Sequence, residues 1–450
     1  MPTFDLILRG GTLVTDTGLE IADIGVSEGI IQAVGSDISD PALESVDASG
    51  LHIFPGVLDA HVHFNEPGRA HWEGLETGSR ALAAGGGTLF VDMPLNAHPP
   101  TIDAAAFELK VAAAQAKSVT DFALWGGLVP GNVDKLESLA DRGVVGFKAF
   151  MSNSGIDDFE RVDDATLFEG MKVAAKWRLL VAVHAEDELM TQHLAQSAQS
   201  RGGTSVRDYI DSRPVAAELA AIRRALDMAG ETGCALHVVH VSSGEGIRLI
   251  SEAKAQGVNV SAETCPHYLA LGDADMEKIG ALAKCAPPLR GNLDRDQLRQ
   301  RLVAGEVDTV GSDHSPSPLD LKQDHNFFKV WGGIASVQLT LSLMITESQG
   351  HPGLTLPSLA RLLSFNVADR FKLPGKGEIE LGNDADFAVV DLGKDFEVRN
   401  TDLLTRHPLT PYAGRSLRGK VMRTILRGRT LFRDGKIATS HPGRLVKPRL

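Results

Sequence analysis

The segment LHIFPGVLDAHVHF, residues 51–64, is an apolar run that ends in two histidines, His61 and His63. A short apolar run of this kind predicts a buried strand. Because positions i and i+2 of a strand point to the same face, both imidazoles are expected on one face of the sheet. A lone histidine at such a place is most often a core residue, but two imidazoles at this spacing can bind one metal ion. The segment therefore predicts a strand with a candidate metal site at its end.

Seven further short apolar runs follow this segment and predict further strands. They are GTLFVDMPLN (87–96), FALWGGL (122–128), VVGFKAFM (144–151), LLVAVHAE (179–186), LHVVHVSS (236–243), NVSAETCPHYLAL (259–271) and VDTVGSDHSP (307–316). Helical patterns lie between them, for example PVAAELAAIRRALDMAG (214–230). This alternation predicts an α/β fold, a (β/α)8 TIM barrel with an all-parallel sheet. A doubly wound open sheet is less favoured, because no glycine-rich phosphate-binding pattern follows the first strand.

The two ends of the chain carry shorter strand patterns separated by turn residues. The stretches ILRGGTLVTD (7–16) and ILRGRTLFRD (425–434) nearly repeat each other. We therefore predict that residues 1–52 and 380–450 together build a small β-sandwich domain, and that residues 53–379 form the barrel. The tail HPGRLVKPRL (441–450) is polar and is expected to be mobile.

Charge and cysteine content narrow the functional class. The 450 residues include 45 Lys plus Arg and 58 Asp plus Glu, which gives a formal net charge of −13. This acidic balance argues against nucleic acid or an anionic membrane as a partner and favours a soluble cytosolic protein, for which a small-molecule substrate is the expected partner. Neither a signal peptide nor a transmembrane run is recognisable. Three scattered cysteines, Cys234, Cys265 and Cys285, suggest free thiols and a cytoplasmic location.

Residues suited to metal binding recur where the predicted barrel strands end, which is where such barrels carry their catalytic groups. Besides the histidine pair, these ends carry Lys148 in GFKAF, His184 in AVHAED, His240 in VVHVSS and Asp313 in GSDHSP. Imidazole and carboxylate together suit zinc or another divalent first-row metal, such as cobalt, iron or manganese. Lys148 fits less well, because an ammonium group repels metal ions. A carbamate, formed from its amine and carbon dioxide, would fit, but the sequence does not reveal this modification.

The strand-end residues and the order of elements resemble the amidohydrolase superfamily, and in particular its cyclic-amidase branch of dihydroorotases, hydantoinases, dihydropyrimidinases and allantoinases. The resemblance extends over nearly the whole chain and implies two divalent metal ions and a homotetramer. It implies that a first ion is held by His61, His63 and Asp313, a second by His184 and His240, and that Lys148, carboxylated by carbon dioxide or bicarbonate, bridges both.

Departures from two patterns of this branch narrow the substrate. Dihydroorotases carry arginine, asparagine and histidine, for binding a carboxylate, at the positions of Asn65, Cys285 and Ser317. Without these groups a carboxylate substrate lacks its cation. Hydantoinases and dihydropyrimidinases carry a tyrosine at the position of Asn153. Both activities are therefore less expected than that of the remaining family.

Local strings resemble the allantoinase family most closely, among them EPGRAHWEGLETGSRA, YIDSRPVAAELAAIRRAL, AETCPHY, KCAPPLR and VWGGIAS. The resemblance implies hydrolysis of the hydantoin-ring amide of allantoin to allantoate, in purine degradation, by hydroxide that two metal ions activate. Asp313 is the expected proton shuttle. Asn96, Cys285 (through its backbone) and Ser315 are the candidate substrate contacts.

Two alternatives remain open. The first is a hydantoinase or dihydropyrimidinase acting on a different ring. The second is a non-catalytic scaffold with the same fold, which the complete set of six metal-ligand positions disfavours. Of the other residues near the site in sequence, Cys265 is expected to pack, and His267 and His314 are expected to orient the ligands.

Overall fold

The computed structural model describes residues 3–438 and 443–450 of the chain. The strands are β1 (Phe4–Val14), β2 (Leu19–Ser27), β3 (Ile30–Gly35), β4 (Ala42–Asp47), β5 (His52–Pro55), β6 (Val57–Val62), β7 (Gly87–Asp92), β8 (Asp121–Leu124), β9 (Gly126–Gly127), β10 (Gly146–Phe150), β11 (Leu180–His184), β12 (Ala235–Val238), β13 (Val260–Thr264), β14 (Thr309–Val310), β15 (Phe387–Glu397), β16 (Ser416–Leu426), β17 (Arg429–Arg433) and β18 (Lys436–Ile437).

The helices alternate with the central strands. They are α1 (Leu75–Ala84), α2 (Ala104–Lys117), α3 (Leu136–Arg142), α4 (Asp164–Lys176), α5 (Glu188–Ser200), α6 (Val206–Asp211), α7 (Val215–Thr232), α8 (Gly244–Ala255), α9 (Pro266–Ala270), α10 (Asp273–Ile279), α11 (Asn292–Val303), α12 (Thr340–Gly350), α13 (Leu356–Ala360) and α14 (Asn366–Arg370). Within the described residues, no helix is both long enough and apolar enough to cross a membrane.

Strands β6 to β14 form the predicted parallel barrel. Their ladder runs β6-β7-β8 and then β9-β10-β11-β12-β13-β14, with all neighbours parallel. Strands β8 and β9 are one barrel strand interrupted at Trp125. The barrel closes where the N–H of His63 donates to the carbonyl of His314 at 2.8 Å. The prediction of a (β/α)8 barrel is confirmed.

Apolar side chains fill the barrel below the strand ends. Leu58, Leu89, Ala123 and Ala182 belong to one buried cluster together with Trp125. The indole N–H of Trp125 donates to the carbonyl of Ala60 at 3.0 Å, which satisfies the one polar atom of this side chain. Because the interior is packed, a ligand has access to the barrel only at the mouth.

Strands from both chain ends share one further sheet, as predicted for a single small β domain. Its order is β18-β17-β16-β15-β5-β1-β2-β3, and β4 pairs with β1. Strand β5 joins the two halves, because it pairs with β1 from the N-terminal end and with β15 from the C-terminal end. The domain boundaries at residues 52 and 380 stay a prediction.

The last residues of the chain lie against the barrel, although a mobile tail was expected. The N–H of Phe122 donates to the carbonyl of Arg444 at 3.0 Å, and the N–H of Val446 donates to the carbonyl of Phe122 at 2.8 Å. Residues 444–446 thus pair with β8, and the polar composition of the tail gave no sign of this. Residues 441 and 442 lie outside the described residues.

Candidate metal centre

The six predicted metal ligands meet at one end of the barrel. His61 lies in β6, Lys148 in β10, and His184 is the last residue of β11, while His63, His240 and Asp313 follow the ends of β6, β12 and β14. Five of them line a cavity of about 370 Å³, and Lys148 is fully buried. Parallel strands bring their carboxyl ends to one rim, so residues far apart in sequence meet there.

The first cluster consists of His61, His63 and Asp313. Oδ1 of Asp313 lies 3.3 Å from Nε2 of His61 and 3.5 Å from Nε2 of His63. One ligand atom from each of the three residues lies within 4.8 Å of the other two. Three such donors facing one point are able to hold one metal ion.

The second cluster consists of His184, His240 and Lys148. Nδ1 of His184 lies 3.1 Å from Nε2 of His240, a separation at which two imidazole nitrogens share either a proton or a metal ion. The rings of His61 and His240 are 5.4 Å apart between centroids, so the two clusters adjoin. Nζ of Lys148 is buried and has no hydrogen-bond partner among the residues that the structure describes.

Burial sets the protonation of these groups. It lowers the pKa of His63 and His184, and it lowers the pKa of His240 well below its usual value, with the charge of Lys148 adding to the effect. These imidazoles are therefore neutral near pH 7, which is the form that binds metal. Burial also lowers the pKa of Lys148 to about 7, so much of its amine is neutral and nucleophilic near that pH.

Asp313 is held as a carboxylate. Burial alone would raise its pKa, but the imidazoles of His61 and His63 outweigh burial and keep the pKa below its usual range. Its backbone has φ of +47°, a conformation that side chains other than glycine adopt rarely. Neutral imidazoles, a carboxylate and a buried amine without a partner together fit divalent metal ions.

Carboxylates behind the ligands support them. Oδ1 of Asp59 accepts the N–H groups of His61 at 3.2 Å and Ser312 at 3.0 Å, which fixes the chain just before Asp313. Oε2 of Glu186 lies 2.8 Å from Nε2 of His184. Neither acid was predicted from the sequence. Glu186 could have been recognised, because it follows His184 by two residues at the end of the same strand.

Comparison with known proteins identifies the family of the chain. A model of the amidohydrolase family matches residues 52–431. The chain belongs to this family. It is 55% identical to an allantoinase of Rubrobacter xylanophilus over 100% of this chain and 98% of that relative. It is 43% identical to an allantoinase of Escherichia coli over 96% of this chain and 95% of the relative.

Solved structures of the family share the architecture. The chain superposes on an L-hydantoinase (dihydropyrimidinase) from Arthrobacter aurescens with a TM-score of 0.96 at 34% identity, covering 99% of this chain and 100% of the other. A dihydropyrimidinase from Brevibacillus agri gives a TM-score of 0.92 at 29% identity, covering 98% of each chain. The predicted family is therefore confirmed from sequence and from structure.

The predicted substrate contacts also line the cavity of this amidohydrolase. Asn96, Cys285 and Ser315 all border it. The amide nitrogen of Asn96 lies 3.4 Å from Nδ1 of His63, so this side chain contacts a predicted ligand as well. The carbonyl of Cys285 accepts the hydroxyl of Tyr209 at 3.0 Å. Their role toward a substrate stays a prediction.

Three other residues considered from sequence differ in their placement. Cys265 is fully buried, and burial raises the pKa of its thiol well above the usual value, in keeping with a packing role. His267 is also fully buried, and neither ring nitrogen has a partner within the described part of the chain. Nδ1 of His314 accepts the N–H groups of Ser336 at 3.1 Å and Val337 at 3.3 Å, so this ring fixes the loop beside the site.

Proposed function

We propose that this amidohydrolase opens the hydantoin ring of allantoin by hydrolysis of its cyclic amide, giving allantoate. The assignment of allantoin as the substrate rests on the identity of 43–55% to relatives named allantoinase over nearly the full length of the chain. The chemistry is supported by two adjoining groups of side chains suited to metal binding, five of which line one cavity. Allantoin is small and polar, and the cavity of about 370 Å³ is large enough to enclose it.

We assign two divalent metal ions to the site, with zinc as the first candidate and cobalt, iron or manganese as alternatives. The proposed ligands are His61, His63 and Asp313 for one ion, His184 and His240 for the other, and Lys148 as a carbamate for both. When bound, such ions acidify water and polarise a carbonyl group. The buried amine of Lys148 supports the carbamate, because it is nucleophilic when neutral and the carbamate would supply the negative charge that the ammonium lacks.

Asp313 is the proposed proton carrier. Its carboxylate stays ionised at neutral pH and its side chain faces the cavity, so it is able to accept the proton of the attacking water. The same carboxyl group then returns this proton to the ring nitrogen as the C–N bond breaks. Without this proton the ring nitrogen would have to leave as an anion, which is a very poor leaving group at neutral pH.

The substrate assignment to allantoin also rests on what the site lacks. Asn65 and Ser317 are buried, and neither borders the cavity. Arg213 does border it, but its guanidinium is paired with the carboxylate of Glu186. Lys284 also borders the cavity, but its Nζ is bonded to the carbonyls of Phe327 and Val330. A carboxylate substrate such as dihydroorotate therefore lacks a free buried cation among these residues. We expect its turnover to be roughly tenfold to a hundredfold less efficient than that of allantoin, for want of one charge-assisted pair.

Reconstitution with a defined metal tests the proposal. Chelated protein is loaded with zinc and bicarbonate, and allantoate formation is compared with turnover of hydantoin, dihydrouracil and dihydroorotate. Allantoin should give the highest kcat/KM, and the chelated protein should be inactive. A higher kcat/KM for hydantoin or dihydrouracil would assign the chain to the hydantoinase alternative. Bound metal without hydrolysis of any of these rings would favour the scaffold alternative.

We also propose a cytoplasmic homotetramer. The cytoplasm is supported by three free cysteines, all buried, in the residues that the structure describes. The tetramer rests on the family resemblance alone. Light scattering of the purified protein gives the subunit number directly.

A further inference from the structure

One side of the cavity is formed by a short irregular segment, residues 327–333, which we call the wall segment. Phe328, Val330, Trp331 and Gly333 are among its residues that border the cavity, which the histidines of the metal centre also line. The segment lies outside any helix or strand of the structure. Its backbone carbonyls therefore lack the regular partners that secondary structure provides, and they need donors from elsewhere.

The ammonium group of Lys284 supplies several of these donors. Its Nζ donates to the carbonyls of Phe327 at 2.6 Å and Val330 at 2.5 Å, with that of Phe328 at 3.4 Å. The same Nζ lies over the rings of Tyr209, at 4.4 Å, and Phe327, at 5.1 Å. Three acceptors match the three N–H donors of an ammonium group, and the two rings add a favourable environment for its charge.

A second lysine holds the other end of the wall segment. Nζ of Lys322 donates to the carbonyls of Trp331 at 3.1 Å and Gly333 at 3.0 Å. The backbone of Lys284 adds a further bond, because its carbonyl accepts the N–H of Gly333 at 2.7 Å. Side chains and backbone together thus fix the segment at five of its seven residues.

This arrangement is costly in a way that packing alone does not explain. Lys284 is 4% exposed, and burial lowers its pKa, an effect that its carbonyl acceptors oppose because they favour the protonated amine. Burial also lowers the pKa of Lys322 to about 8. An apolar side chain would fill the same space without the penalty of burying a charge. The two ammonium groups are therefore best explained by the carbonyls that they bind.

We propose that Lys284 is a positioning residue, which together with Lys322 holds the wall segment in the shape that receives the substrate. Neither lysine touches the metal ligands through any contact described above, so its effect is expected on substrate binding and not on the chemical step. The proposal rests on the proposed function only for the choice of substrate in the assay.

The test compares Lys284→Met with the unchanged protein. Methionine keeps the length of the side chain and removes the three donors. We expect KM for allantoin to rise by roughly tenfold, with kcat and metal content unchanged within about twofold. Trypsin should also cut faster between Lys329 and Val330. The side chain of Lys329 is exposed, and without the hydrogen bond from Lys284 to the carbonyl of Val330 the backbone there should be more mobile.

Two further variants make the test decisive. Lys172→Met removes an exposed lysine of α4 and should change neither KM nor the tryptic pattern. Lys322→Met, which leaves Lys284 in place, should also raise KM and speed cleavage after Lys329. It replaces Lys284→Met in the test if that variant does not fold. Unchanged KM and unchanged cleavage after Lys329 in both wall variants would overturn the inference. So would a loss of metal accompanied by a fall in kcat, since the lysine would then act through the metal centre.

The two proposals fail in different ways. If the unchanged, metal-loaded protein does not hydrolyse allantoin, the proposed function is wrong. Proteolysis after Lys329 still shows whether Lys284 stabilises the wall segment. If allantoin is hydrolysed but the variants behave like the unchanged protein, the positioning role alone is wrong.

Discussion

Nδ1 of His61 lies 2.7 Å from Oε1 of Glu263, and both side chains are buried. Because the carboxylate occupies Nδ1, Nε2 is the ring atom that faces Asp313. The same Oε1 accepts a hydrogen bond from the backbone N–H of His240 at 3.3 Å. One carboxylate on β13 therefore orients the ring of His61 and fixes the backbone of His240, one proposed ligand of each metal cluster. A carboxylate bonded to the second ring nitrogen is usual for metal-binding histidines.

Glu263→Gln should weaken metal binding while the fold remains. The amide keeps the size of the side chain but loses the charge that orients the imidazole of His61, so we expect metal affinity or activity to fall about 10- to 100-fold. Metal content after dialysis against a competing chelator measures the first quantity. Glu169→Gln, at an exposed position of α4, is the matched control. Retention of metal by Glu263→Gln equal to that of the control would show that His61 does not need this partner.

The barrel and its rim were predictable from sequence for a physical reason. Parallel strands covered on both faces appear as continuous apolar runs, and their carboxyl ends meet at one rim. His184 and His240 are 56 positions apart in sequence and were therefore expected to lie close together. Nδ1 of His184 is 3.1 Å from Nε2 of His240. The pairing of β5 with both chain ends was less evident, because a four-residue strand carries little periodicity.

Residues that act through other residues were not found from sequence. Glu263 is one acid inside an apolar run, and Lys284 is one cation in a loop, so neither belongs to a recognisable spacing. Their importance lies in long-range contacts, from Glu263 to His61 and from Lys284 to Val330. A local sequence pattern indicates which face of a strand or helix a residue occupies, but it does not indicate which distant residues contact that face.

Lys148 should make activation dependent on carbon dioxide. Only the neutral amine attacks carbon dioxide, and burial lowers the pKa of this amine to about 7. At a fixed carbon dioxide pressure, metal-dependent activation should therefore increase as the pH rises through about 7 and then level off. Mass spectrometry of the native protein and activity after metal addition measure the outcome. Full activation in buffer free of carbon dioxide would contradict a carbamate, and Lys148→Met is the control that should never activate.

Lys376 joins the barrel to the sheet domain through three carboxylates. Its Nζ lies 2.7 Å from Oδ2 of Asp121 at the start of β8 and 2.7 Å from Oδ2 of both Asp384 and Asp386, which precede β15. Asp121 and Asp386 are buried, and Arg427 also pairs with Asp121. Removing the ammonium would leave buried carboxylates with too little positive charge, which is strongly unfavourable.

Lys376→Met should therefore lower the free energy of unfolding by ~3 to 5 kcal/mol, as expected when one partner of a buried ionic group is removed. Urea unfolding followed by circular dichroism measures the change. Lys394→Met is the matched control, because Lys394 is about half exposed and its one ion pair among the described residues is with Asp391. The control should change stability by less than ~0.5 kcal/mol. Equal urea midpoints for the two variants would show that the cluster does not stabilise the chain.

Asp313→Asn tests the proposed proton carrier. The amide is not basic near neutral pH, so it cannot accept the proton of water or return one to the ring nitrogen. General acid–base groups contribute typically about 10²- to 10⁴-fold, and we expect kcat to fall by at least about a hundredfold. KM should change far less, because the substrate contacts are assigned to Asn96, Cys285 and Ser315. The amide oxygen still faces His61 and His63, so part of the metal should remain, and metal content must be measured on the same sample. A variant with normal metal content and near-normal kcat would remove Asp313 from the proton transfer and would leave the metal ions as the only means of activating water.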